Sequence, residues 1–443
     1  MSPPVRSRMS DPEQRSGGDA KAGDSSAAHA GANGTPREGN GAATGGSVGR
    51  VLPALIAAQI ALHAAMAGQR MAAPLQVLQH GHAAWSVGVL LALFAALPVL
   101  TAMGAGRMAD RHGYHRPLHW AVAGTMAGAA CSLLASWLPG GWQFGLLCVG
   151  AAASGFGTNI GLIAVQRTAS HLADNSTERV RVFSWLGMAP SLANVVGPVS
   201  AGFMIDAAGF KAAYALMLAL PLLSLAAARW VPAAIGRPQS VPREHGKRAW
   251  DLLATPGLKR LLIVNWLLSA SWDVHSFAVP VLGHARGFSA STIGLVLGTF
   301  TLAVTLVRFV VPWVARWLRE VTVLRVAMLM TGGVFAIYPF ALTPLLMGAC
   351  AALLGLALGS VQPMIMSTLH QLTPQPRHGE AIALRSMAMN ASSSVMPLAF
   401  GAVGTAVGAG ALFWFMGAAV GAGSWVARGL QHAFVEADDA TRH

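Results

Sequence analysis

Asp273 is the only one of the chain's 17 acidic residues that lies well inside a long apolar run. An ionisable side chain held in hydrocarbon is costly, so a carboxyl there is a candidate to take up and release a proton as its surroundings change. At helical spacing, Asn265, Ser269, Trp272 and Ser276 fall with it on an arc of about 100°, leaving Leu267 and Leu268 for lipid or packing. A polar stripe of this kind suits the wall of a solute path. His63 is the second proton candidate, because an unperturbed imidazole changes charge near neutral pH. The competing reading of Asp273 is an ion pair with Arg308 or Arg385, which would make it a fixed strut. Both arginines otherwise sit near helix ends, where their charged heads can reach water.

Weaker stripes accompany this one. Gln59, His63 and Met66 share a face of the first apolar run, Asn159 and Gln166 one of the fourth, and Ser386, Asn390, Ser393 and Pro397 one of the eleventh, while Gln362 stands on the tenth. Each is a candidate for the cavity wall, and for each a helix-to-helix hydrogen bond is the alternative. No catalytic constellation is present. There is no phosphate-binding glycine loop ending in Lys-Ser or Lys-Thr and no His-Glu-x-x-His pair, so neither an enzyme, a bound metal nor a cofactor is expected. Cys131, Cys148 and Cys350 stand in apolar runs without redox or metal spacing.

The elements that must position these residues follow from composition. Of 443 residues 54% are hydrophobic and 11% charged, and the mean hydropathy is +0.52. A bilayer core of about 30 Å takes roughly 20 apolar residues per helix. The chain offers about twelve such runs, near 51–68, 84–103, 118–138, 142–166, 182–206, 211–231, 261–283, 290–314, 321–341, 343–369, 381–406 and 409–428. The expected fold is an all-α integral membrane protein with its own lipid bilayer as partner. Net charge +13 and a pI near 11.0 do not imply nucleic acid, because the bases occupy short loops between apolar runs.

Those loops alternate. Arg107, Arg111, Arg116, Arg167, Arg179, Arg181, Arg316, Arg319, Arg325, Arg377 and Arg385 fall on one set, with Arg70, Lys211 and Arg286 on the other. Positive charge stays cytoplasmic, so both termini are expected inside the inner or plasma membrane. The expected organisation is a disordered tail over 1–49, a six-helix half over 50–232, a basic linker over 233–260, a second half over 261–428 and a tail over 429–443. Lacking an apolar leader, the first helix is expected to serve as the insertion signal. Asn33-Gly-Thr and Asn175-Ser-Thr read as chance glycosylation matches on the cytoplasmic side.

The halves repeat. A shift of 199 residues carries His171, Pro198 and Gly202 onto His370, Pro397 and Gly401, and small-residue pairs Gly157/Gly161 and Gly355/Gly359 bring helices close in both. Between the second and third runs, Gly106-Arg-Met-Ala-Asp110-Arg111-His-Gly113 resembles the loop signature of the major facilitator superfamily, with His112 and Tyr114-His115 departing from its aromatic and basic positions. Gly197-Pro198-Val-Ser-Ala-Gly202 is similar to the end of the glycine–proline signature of that family's drug–proton antiporters, with Ser184 and Ala193 at its upstream glycines. The resemblance covers Val51 to Arg428. It implies a secondary transporter of a small organic solute, working by alternating access as a monomer, coupled to protons, with efflux favoured over two alternatives: a proton-coupled uptake symporter and a non-transporting sensor. It further implies that Gly106, Asp110, Arg111 and Gly113 form a conformational latch, Asp110 meeting the positive end of a helix in the opposite half, and that Gly197, Pro198 and Gly202 shape a helix-five hinge.

Overall fold

A computed structural model describes residues 41–442 except 171, 173–175, 233–248, 256, 315–316, 318 and 374–376, and one compact unit spans Gly45–His443. Its helices are α1 (Gly41–Gln79), α2 (Ala84–His112), α3 (His115–Ala135), α4 (Gly140–Ser170), α5 (Ser176–Ala228), α6 (Leu258–Ala285), α7 (Ala290–Val314), α8 (Glu320–Ile337), α9 (Pro344–Gly359), α10 (Val361–Leu372), α11 (His378–Val407) and α12 (Ala409–Arg442). Gly209, at φ 79°, breaks α5 into the fifth and sixth spans, and α9 with α10 makes the tenth. Two six-helix halves result. α6 and α11 are the helices that fall outside the stretches apolar enough to cross a membrane on composition alone. They are the two that carry Asn265, Asp273, Arg385 and Asn390.

The first helix runs eleven residues past its apolar run, through Gln69, Arg70 and Gln76 to Gln79. These polar side chains do not end the helix because the bundle gives two of them partners. Gln69 Nε2 donates to Ser154 Oγ of α4 (3.1 Å), Gln76 Nε2 donates to Ser136 Oγ (3.3 Å), and Tyr214 Oη donates to Gln76 Oε1 (2.7 Å). Arg70 is thereby moved from an expected loop into the middle of a helix. Lys211 and Arg286 do lie at turns, the first over the Trp137 ring and the second donating to the carbonyls of Pro339 and Ala341. The Gly106–Gly113 segment also differs from expectation: α2 continues to His112, and only Gly113, at φ 68°, turns the chain. Open space surrounds Gly106, so it serves no close helix approach in this structure. The tail and linker expected at 1–49 and 233–260, with Asn33, His171 and Asn175, fall mostly outside the described residues, and α12 extends through the expected C-terminal tail.

The halves meet through α2 against α11 and α5 against α7. At the end remote from the linker, glycines let backbones touch. A Cβ on Gly88 would stand 2.3 Å from the Pro397 carbonyl oxygen, and one on Gly294 would stand 2.5 Å from that of Pro198. Gly401 packs on Trp85 and Gly202 on Ala290 in the same related way. The 199-residue repeat is therefore built into the seal between the halves. Asp206, ending the first arm of α5, accepts the backbone N–H groups of Ala290 (3.0 Å to Oδ1) and Ser291 (2.8 Å to Oδ2) at the start of α7. A carboxylate on exposed helix N–H groups is favourable both as a cap and against the helix dipole. Within each half the paired glycines also work at contact distance, Gly157 against Thr125 and Ala121, Gly355 against Phe300. Toward the linker end α5 and α7 part, and a cleft of about 530 Å³ opens between Trp185–Met188 and Arg308–Trp313. The far end is closed in this structure.

Candidate functional site

α6 begins after Gly257, whose φ of 81° turns the chain into the bundle, and it carries its polar stripe to the junction of the halves. There a cavity of about 290 Å³ is lined by Asn265, Ser269, Trp272 and Asp273 of α6, together with Arg70 of α1, Arg308 of α7, Gln362 of α10, and Arg385 and Ser393 of α11. Asp273 is 8% exposed, and Ser393 Oγ donates to its Oδ2 (3.3 Å). Trp272 is held edge-on to Phe300, with ring centroids 4.6 Å apart. A smaller cavity of about 50 Å³ shares Arg70 and Trp272 and continues to Pro198, Ser276 and Thr301. Arg308 and Gln362 also line the linker-end cleft, so polar groups run from that mouth to the sealed end.

The arginines are placed differently from the sequence reading. Arg308 and Arg385 do not extend to surrounding water at a helix end; both face the cavity. Neither pairs with Asp273. Arg308 Nη1 donates to Ser191 Oγ of the other half (3.0 Å) and its Nη2 to Gln362 Oε1 (3.0 Å), while Arg385 Nε donates to Asn265 Oδ1 (3.2 Å). Among the described residues Asp273 has no salt bridge within 4 Å; its counter-charge is Arg70, which faces the same cavity without a hydrogen bond of its own and acts on Asp273 through space. Sequence reasoning missed Arg70 because the apolar run halts at Gln69. The signal that could have found it is the resumption of apolar residues from Met71 to Leu78.

The other candidates scatter. His63 lies within hydrogen-bond distance of Asn194 Nδ2 (3.3 Å), between α1 and α5, and lines neither cavity. Gln59 is fully buried, with neither amide atom partnered among the described residues. Asn159 Nδ2 donates to the Pro98 carbonyl (3.5 Å), a strap between α4 and α2. Gln166 and Asn390 are exposed and belong to none of these cavities. His275 is packed against Phe300 and lies 3.1 Å from the Tyr338 hydroxyl. Of the hinge glycines, Gly197 meets the Ala64 carbonyl of α1, while Pro198 and Gly202 meet α7. Arg111 is exposed, and the side chain of Asp110 lies outside the described residues.

Three comparisons place this architecture. The Major Facilitator Superfamily profile matches residues 55–260 and 261–433, one match per half. Over 119 residues the chain is 35% identical to the tetracycline resistance protein, class B, of Escherichia coli, a match that spans 26% of this chain and only 27% of that protein. Among solved structures, a peptide transporter POT in complex with sulfate superposes with a TM-score of 0.69 at 14% identity, covering 88% of this chain and 95% of that one. A POT family transporter with 5-aminolevulinic acid gives 0.68 at 12% identity over 85% and 94%. A bacterial homologue of the human lysosomal transporter Spinster, inward-facing and occupied, gives 0.63 at 12% identity over 87% and 93%. With profile matches covering both halves and the twelve spans paired about one central cavity, the chain belongs to the Major Facilitator Superfamily and is a multi-pass membrane transporter, not an enzyme.

Proposed function

We propose that this protein is a secondary active transporter that moves a small organic solute across the inner or plasma membrane by alternating access, as a monomer, with proton coupling at Asp273. The observation that carries the reading is the carboxyl of Asp273, 8% exposed and without a salt bridge within 4 Å among the described residues, in a cavity between two halves sealed at one end. Closing the linker end and opening the other would present the same carboxyl to the opposite compartment, which is what a proton carrier requires. The direction of coupling follows from solute charge. A cation competes with the proton for Asp273 and gives antiport; an anion is bound best when Asp273 is neutral and gives symport.

Profiling small molecules in cells that overexpress the protein against cells that lack it should reveal solutes whose distribution changes. In proteoliposomes such a solute is expected to accumulate under an imposed pH gradient and to redistribute when a protonophore collapses it. Accumulation that ignores the gradient, or binding without net flux, would replace proton coupling by another ion or transport by sensing.

Orientation supplies a separate expected result. Reporter fusions at Gly81 and Gly140 should report the exterior, and fusions near Gly246 and after the C-terminus the cytoplasm, because positive charge gathers at the linker end. The inverse pattern would reverse every assignment of side.

A further inference from the structure

We infer that the solute carries an anionic group, a carboxylate or a comparable oxyanion, on an apolar body, and that Arg70 and Arg385 hold that group. The inference rests on the transport reading above and adds the substrate class. Three guanidinium groups line the central cavity against a single carboxylate. Like charges held out of bulk water are unfavourable unless a counter-charge joins them, and Asp273 offsets only one of the three. The neutral partners do not make up the rest. Arg308 uses two nitrogens on Ser191 and Gln362, Arg385 uses one on Asn265, and Arg70 donates to no protein group among the described residues. A guanidinium presents five N–H donors in a planar fork that matches an oxyanion two bonds at a time. The cavity is thus rich in donors and positive charge, with one carboxylate set against three guanidinium groups. Its remaining walls, Leu268, Trp272, Leu358, Val361 and Met389, ask for hydrocarbon or an aromatic ring. A volume of about 290 Å³ suits a compact molecule, with the adjoining cleft for a longer one.

Asp273 takes a defined part in this arrangement. Ionised, it is the only acid lining the cavity among the described residues and competes with the solute for the field of Arg70, Arg308 and Arg385; neutral, it leaves that field to the solute. Proton and anion therefore bind together, which makes the coupled mode symport.

Binding of 4-phenylbutyrate, 4-phenylbutanamide, 4-phenylbutyltrimethylammonium and 4-phenylbutyl phosphate to the purified full chain in detergent tests the inference without requiring flux. Quenching of tryptophan fluorescence reads binding. The carboxylate is expected to bind at least about tenfold more tightly than the amide, and the ammonium compound more weakly still. Tighter binding of the phosphate than the carboxylate supports a general oxyanion site, and the reverse a carboxylate site. Arg70→Gln and Arg385→Gln should each remove the advantage, Arg70→Lys should keep part of it, and Asp273→Asn should leave anion binding as tight or tighter. No advantage of carboxylate over amide in the wild type, preference for the ammonium compound, or loss of anion binding in Asp273→Asn overturns the inference. Size-exclusion profiles matching wild type establish that each variant is folded. Anion binding without flux in proteoliposomes would defeat the transport reading alone, and flux of cationic solutes would defeat this inference alone.

Discussion

Asp273→Asn is expected to abolish pH-gradient-driven accumulation of the solute while leaving its binding, and the exchange of internal for external solute, in place. The amide has the shape of the protonated acid and cannot release a proton, so the carrier cycles only as its neutral form. The size of the effect is set by the gradient. One pH unit is worth about 1.4 kcal/mol per proton, which sustains a solute ratio of about tenfold when one proton accompanies each cycle. The variant's ratio should fall to unity. The Ser393 hydroxyl can donate to the new amide oxygen as it does to the carboxylate, so the variant should fold, with thermal stability lowered by loss of the counter-charge that Asp273 gives Arg70. Full gradient-driven accumulation by Asp273→Asn would falsify the coupling role. His63 would then be next to test, although its position between α1 and α5, beside Asn194, gives it no access to the cavity in this state.

Why the α6 stripe was legible and Arg70 was not has one physical cause. A single helix fixes the angular relation of its own side chains, so Asn265, Ser269, Trp272 and Asp273 could be placed on one face from spacing alone, and they do line one cavity. Relations between helices need the bundle. Nothing in the sequence says that Gln69 finds Ser154 or that Gln76 finds Tyr214, and without those bonds the polar cluster after Gly68 reads as a loop. The same limit separates Gln362, which reaches the cavity and accepts from Arg308, from Asn390, which is exposed, though both were candidates for the cavity wall. The repeat behaved oppositely. A shift of 199 residues is one-dimensional information, and its three-dimensional meaning, Pro198 on Gly294 and Pro397 on Gly88, appears once the halves are paired. A carboxylate that caps a helix across the halves is present in Asp206, at the far end of the bundle, while the side chain of Asp110, chosen for its motif, lies outside the described residues.

Gly88→Leu should drive the protein toward the state open at the far end. The Gly88 Cα approaches the Pro397 carbonyl so closely that even a methyl group would stand 2.3 Å from backbone oxygen, a contact that no rotamer can relieve. Overpacking of this kind costs about 1–3 kcal/mol, and here it acts only on the state in which α2 and α11 touch at that end. About 1.4 kcal/mol is a tenfold change in a two-state ratio, so a population shift of about 5- to 150-fold is expected. Gly294→Leu should act alike on α5 and α7, since its contact with Pro198 is the related one. Asp206→Asn should shift the same equilibrium less, because it weakens the charge on the α7 N-terminus, worth about 0.3–1 kcal/mol at an exposed site, and leaves the backbones free to meet. Spin labels on Ala83 and Val407, both exposed and on opposite halves, read the separation at the far end. A longer distance population is expected in all three variants, largest for the two leucines. An unchanged distribution in Gly88→Leu would mean that the glycine contacts fill space without governing which end is closed.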